Sequence, residues 1–323
     1  MNKLKRYFKK IIDVLFSPFT LFATLWLKYI QTRGLHNFKL AEKIFMKVGV
    51  LPVVDHYYYP MINPRKHLRY SLRDDRRLPG INLNTENQVK LLNEFHYTDE
   101  LLRFPVAAPE GNDKTFFYDN GWFDKGDAEI LYSLIRKYKP SKIIEVGSGN
   151  STLMALNAIS KNKEENPAYD CAITCIEPYE MSWLETKKIK VIRQRVEELD
   201  VTLFDSLDAN DILFIDSSHM VRPQGDVLFE ILELLPRLNK NVIVHIHDIF
   251  TPKDYLDSWI IEGHGFWNEQ YVLEAFLSMN KEYEIMLALN YLFYHHRDEL
   301  NRACPLLAKN PAKEPRSIWI RRV

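Results

Sequence analysis

The chain has 323 residues, 46% of them apolar and 13% aromatic, enough for a sizeable core and too apolar for an intrinsically disordered protein. Its 43 basic side chains balance 43 acidic ones, which argues against a general nucleic-acid binder. Three cysteines (Cys171, Cys175 and Cys304) without CxxC spacing exclude a disulfide framework and point to a reducing, cytoplasmic compartment.

The first segment, residues 1–31, departs from this neutrality. "MNKLKRYFKK" carries Lys3, Lys5, Arg6, Lys9 and Lys10, and "VLFSPFTLFATLWL" has no charge before Lys28. That charge-free run is shorter than the roughly 20 residues a membrane crossing needs, and no small-residue cleavage site follows it. A helix lying in the membrane interface is expected, giving peripheral contact with the inner face of the membrane. The alternative is a helix packed on its own core or on a partner subunit of a homo-oligomer.

Residues 32–117 read as a lid and substrate-binding extension. Prolines, three consecutive tyrosines and arginines from Arg65 to Arg77 suggest loops and short helices. Those arginines suit phosphate groups, although Asp74 and Asp75 make internal salt bridges equally expected. "TENQVKLLNEFHYTDELL" has helical spacing, with Thr85 as a candidate cap.

Regular alternation fills residues 118–323. "DAEILYSLIRKY" is an amphipathic helix ended by Pro140, and "KIIEV" follows as a buried strand. The helix "STLMALNAIS", the strands "CAITCIEP", "KVIRQ" and "DILFID", the helix "DVLFEILELLPRL" and the strand "NVIVHIHD" come next. This pattern predicts an α/β fold: a Rossmann-like, doubly wound, mostly parallel sheet. "YEIMLALN" and "RSIWIRRV" read as two closing strands, a hairpin pair at one edge that makes the last strand antiparallel.

In "KIIEVGSGNST" the glycines Gly147 and Gly149 follow a buried strand, where ligands bind in parallel sheets. Thr152 replaces the third glycine of a dinucleotide site, and no phosphate-loop pattern occurs. Glu145 precedes the glycines and Glu177 ends the next strand, placed to accept hydrogen bonds from a ribose or simply to cap a helix. Acid-x-G-x-G followed by a second strand-end acid resembles the class I S-adenosylmethionine-dependent methyltransferases. The resemblance implies S-adenosyl-L-methionine as cofactor, with Glu145, Gly147, Gly149, Asn150 and Ser151 along its methionine end. Glu177 would hold the ribose, and Val196 would flank the adenine.

"KGDAEILYSLIRKYKPSKIIEVGSG" is similar to the catechol O-methyltransferase pattern, which adds Gly126 and Asp127 as cofactor candidates. "LFIDSSHM" and "VHIHDIF" resemble the macrocin O-methyltransferase type, with Asp216 and Asp248 at strand ends and His219 three residues past the first acid. That type has an acid where this chain has His247. The set Asp216, His247 and Asp248 is a candidate divalent-metal site, for Mg²⁺ or another ion. Otherwise His245 and His247 point to opposite faces of a strand, hydrogen-bonded within the core. His219 is the candidate catalytic base.

Trp267, Asn268 and Tyr271 could face a sugar at the cleft mouth, although Tyr271 reads better as core. The expected function is O-methylation of a small-molecule or glycan acceptor, in polysaccharide or glycolipid synthesis, with no nucleic-acid partner. A metal-dependent hydroxylase or oxygenase on the same fold, or a non-catalytic membrane scaffold, is the alternative.

Overall fold

The computed structural model describes residues 3–110 and 115–323; Met1 and Asn2 of the basic segment, and four positions of the expected lid, fall outside these. Two compact units emerge: Met1–Tyr70 with Ser258–Phe266, and Ser71–Asp257 with Trp267–Val323. Residues from 71 onward in the expected lid therefore belong to the sheet unit.

In the first unit, one helix runs unbroken from Lys3 to Arg33 despite Pro18. At 1.5 Å per residue it is about 46 Å long, more than the roughly 30 Å of bilayer hydrocarbon. The charge-free stretch is the middle of this helix, which extends well beyond both its ends. It is long and apolar enough to cross a membrane. A second helix spans Lys39–Val48 and is stopped by Gly49 in the left-handed conformation.

The second unit is built on a seven-stranded sheet with strand order β3-β2-β1-β4-β5-β7-β6. The strands are β1 (Lys142–Val146), β2 (Ala172–Ile176), β3 (Lys190–Ile192), β4 (Ile212–Ile215), β5 (Ile243–His247), β6 (Tyr283–Ala288) and β7 (Ser317–Arg322). β1 to β5 pair in parallel, and β7 is antiparallel to both β5 and β6. The closing strands do pair at one edge, but three short helices between residues 289 and 308 separate them, so they form no tight hairpin.

Side chains alternate between two apolar layers: Ile143, Ile212 and Ile243 enter one, Ile144, Leu213 and Val244 the other. Helices Asp127–Tyr138 and Asn150–Glu165 cover the first layer, and Leu273 and Leu277 of helix Glu269–Leu277 enter the second. One row across the sheet joins Cys175, Glu145, Phe214, His245 and Trp319. His245 and His247, two residues apart, share a face with ring centroids 5.4 Å apart. The expectation of opposite faces fails because strand side chains repeat every second residue. Neither ring has a hydrogen-bond partner among the described residues. His245 stacks on Phe214 at 4.0 Å, and burial, then neighbouring His247, lowers its pKa well below the ordinary value. It is a neutral core ring.

The helix expected near residue 85 spans Thr85–Asn93, and Asn84 rather than Thr85 occupies the cap position. Two arginines of the second unit, Arg73 and Arg76, take the internal pairing. Arg73 pairs with Glu314, Arg76 pairs with Glu274 and Asp254, and Asp75 takes Lys253 and His295. Arg73 and Arg76 are committed within the fold.

Candidate active site

The glycine loop leaves β1 with Gly147 at φ 74°, a left-handed conformation. A Cβ there would sit 1.9 Å from the Asp216 carbonyl oxygen, so only glycine lets the β1 loop lie against the end of β4. Gly149 is extended, and a Cβ would meet only the Met181 methyl, at 3.6 Å. Asn150 and Ser151 begin the following helix.

Glu145 does not reach this opening. It is buried, accepts from the Ser151 hydroxyl at 2.5 Å and from the Thr152 hydroxyl, and has the Cys175 thiol 3.5 Å away. Burial outweighs these hydrogen bonds and raises its carboxyl to about 7. In this arrangement it braces β1 to the next helix. Gly126 and Asp127 also turn inward. A Cβ on Gly126 would press on Pro315 at 2.9 Å, and Asp127 accepts from the Arg316 amide and the Ser317 hydroxyl at the start of β7.

Glu177 is half-buried just past β2, and its carboxylate accepts the amides of Ser148 (3.3 Å), Tyr179 (3.1 Å) and Glu180 (3.0 Å). It caps its own turn, and the Ser148 contact fixes the carboxylate beside the glycine loop. Val196 is buried at the start of a short 3₁₀ turn.

The acids after β4 and β5 converge. One ligand atom each from Asp216, His219 and Asp248 lies within 4.8 Å of the others. His219 Nε2 is 3.3 Å from Asp216 Oδ1 and 3.4 Å from Asp248 Oδ2, and Nδ1 is 2.8 Å from Glu269 Oε2. Two left-handed residues make this possible, His219 at φ 59° and Asp248 at φ 54°. The His219 carbonyl also accepts the amides of Asn268 and Glu269 at the start of helix Glu269–Leu277. Burial alone would lower the His219 pKa, but Asp216, Glu269 and Asp248 raise it well above the ordinary value. For Asp216 burial raises the pKa, but His247 and His219 prevail and hold it below the carboxylate range.

This geometry redistributes the expected roles. Both His219 nitrogens face carboxylates, so the ring is placed as a ligand or imidazolium rather than as a base open to the cleft. His247 Nε2 is 3.6 Å from Asp248 Oδ1, and its ring packs against Phe123 instead of joining the cluster. The set fits a divalent ion: two carboxylates and an imidazole converge, and Glu269 takes the other ring nitrogen, as second partners of ligating histidines do. Sequence reasoning missed Glu269, which lies 50 residues from His219, and Arg316, whose Nε is 3.1 Å from Asp248 Oδ1.

Beside the cluster, Trp267 meets the His219 ring edge-on at 5.8 Å, and Asn268 Oδ1 accepts the Val221 amide. Tyr271 is not core. It is 39% exposed, beneath the Arg76 guanidinium and hydrogen-bonded to Asp254, while Leu273 takes the buried position.

Residues 144–249 match a family model described as "Methyltransferase domain". An uncharacterized protein of Archaeoglobus fulgidus is 31% identical over 182 residues, covering 53% of this chain and 80% of that protein. The O-methyltransferase TomG from Streptomyces achromogenes, solved with S-adenosylmethionine, is 11% identical with a TM-score of 0.37, covering 73% of this chain and 89% of that one. The plantazolicin methyltransferase BpumL, solved with S-adenosylhomocysteine, is 14% identical with a TM-score of 0.34, covering 74% and 96%. The matched stretch begins inside β1 and ends just past Asp248, so residues 144–249 form a methyltransferase domain that takes in the glycine loop and both strand-end acids.

Proposed function

We propose that this methyltransferase moves a methyl group from S-adenosylmethionine to a hydroxyl of a saccharide or glycolipid, with a divalent cation held by Asp216, His219 and Asp248. One observation carries the reading. Gly147 rests against the Asp216 carbonyl, so the loop that would take the cofactor and the acids that would take the cation share one edge of the sheet. Glu177 supplies the carboxylate for the ribose hydroxyls.

The acceptor oxygen attacks the methyl carbon in line with sulfur. The carbon–sulfur bond breaks with its electron pair going to sulfur, and the hydroxyl proton leaves toward the carboxylates. Much of the rate enhancement comes from holding these three atoms collinear. A cation here would lower the acidity barrier of the alcohol and orient it. Glu269 fixes the His219 ring, and Arg316 offsets the charge of Asp248.

Calorimetry with S-adenosylhomocysteine tests the reading. The full chain should bind it, and Glu177→Ala should weaken binding roughly 10–100-fold by removing hydrogen bonds to a charged acceptor. No binding heat would remove the cofactor assignment, and an unaffected variant would remove Glu177 as the ribose partner.

A further inference from the structure

The unit formed around residues 1–70 contains a surface that methyl transfer does not use. Helix Lys3–Arg33 exposes Leu4, Phe8, Val14, Phe16, Phe19 and Phe22, among others, around its whole circumference. A helix apolar all round needs either a core or a lipid environment, and none of its most apolar stretch is buried. The hydroxyls of its apolar stretch are satisfied internally. Pro18 has no N–H to donate to the Val14 carbonyl, and the Ser17 hydroxyl donates to that carbonyl instead, at 2.8 Å. Thr20 donates to Phe16 O at 3.1 Å and Thr24 to Thr20 O at 2.7 Å. A helix in water has no need of this; one in hydrocarbon does.

At the carboxyl end, Trp26 stacks on Tyr29 and both meet Phe38 edge-on, an aromatic cluster of the kind found at membrane–water boundaries. Directly beyond it comes helix Lys39–Val48. Leu40, Ile44 and Val48 recur every fourth residue and are 74%, 51% and 67% exposed. Lys39, Lys43 and Lys47 recur with the same spacing and form the adjoining stripe. Apolar and cationic stripes side by side complement the acyl boundary and the headgroups of an anionic bilayer.

We infer that this unit is a two-part membrane module: helix Lys3–Arg33 embeds in the hydrocarbon, and helix Lys39–Val48 lies in the headgroup layer with Leu40, Ile44 and Val48 inward and its lysines on anionic lipid. The inference is independent of the chemistry proposed above, and its test involves neither cofactor nor acceptor.

The test uses the full chain in a Cys171→Ser background, with single cysteines at Leu40, Ile44, Val48 or Glu42 carrying an environment-sensitive dye. It is reconstituted in vesicles of phosphatidylcholine with or without phosphatidylglycerol. With phosphatidylglycerol, dyes at 40, 44 and 48 should shift to shorter wavelength and resist aqueous iodide, while the dye at 42 stays accessible. Replacing Lys39, Lys43 and Lys47 with Glu should abolish that protection while the chain still floats with the vesicles through its first helix. Equal quenching at all four positions in anionic vesicles overturns the role of the second helix. Protection without any lipid also overturns it, because a second copy would then cover the face. A chain that fails to float overturns the first helix as an embedded element.

Discussion

Glu145 and Asp216 both sit at or just past the carboxyl end of a parallel strand, in adjacent strands of one sheet, yet the structure puts them to opposite uses. Glu145 accepts from hydroxyls at the start of the next helix, burial raises its carboxyl to about 7 against those bonds, and it serves as a brace. Asp216 meets the His219 imidazole and stays ionised, aimed at Asp248 across a gap that one ion could fill. Position on a strand does not make an acid functional; what saturates its oxygens does.

The largest effect should come from the open acid. Asp216→Asn removes an anionic ligand while nearly preserving shape, and turnover should fall roughly 10³-fold, since metal assistance is worth several kcal/mol. Steady-state kinetics with Mg²⁺ checks it, and a variant within threefold of the parent would erase the contrast with Glu145.

Gly147→Ala attacks the contact that joins the two regions. The added Cβ meets a backbone oxygen and forces a non-glycine residue to positive φ. Unfolding free energy should drop by about 3 kcal/mol, by chemical denaturation.

Glu145→Gln sharpens the comparison through pH. Its carboxyl moves from 4.5 to about 7 on folding, so the stability it lends is complete below pH 4.5 and disappears as pH rises through 7. Between pH 5 and 8 the stability difference between the glutamine variant and the parent should shift by up to about 3 kcal/mol in the variant's favour. A pH-independent difference would show that Glu145 ionises freely.

The smallest change should follow Glu269→Gln. It leaves the cation's ligands in place but loosens His219, so Mn²⁺ affinity should weaken about 10–100-fold, as for other second partners of ligating histidines. Mn²⁺ titration followed by electron paramagnetic resonance reads this without an acceptor.

Much of this architecture was legible. Apolar runs ending in an acid placed Asp216 and Asp248 correctly, because a buried strand and its polar exit are local features. The Glu145 bonds to Ser151 and Thr152 were not legible, because an acid before a glycine loop looks alike whatever its oxygens face. His247 misled because adjacency to Asp248 in sequence says nothing about direction. The strand holds His247 on the same buried face as His245, and the left-handed turn at Asp248 swings that carboxylate toward His219. Glu269 and Arg316 belong to contacts across many residues that no local spacing encodes.

A crystal of the chain grown with S-adenosylhomocysteine and Mn²⁺ tests the shared edge directly. The account predicts an anomalous peak among Asp216, His219 and Asp248, and the nucleoside over Gly147 to Gly149 with its ribose on Glu177. A peak coordinated by His247 instead of His219, or a nucleoside seated away from the glycines, would contradict it.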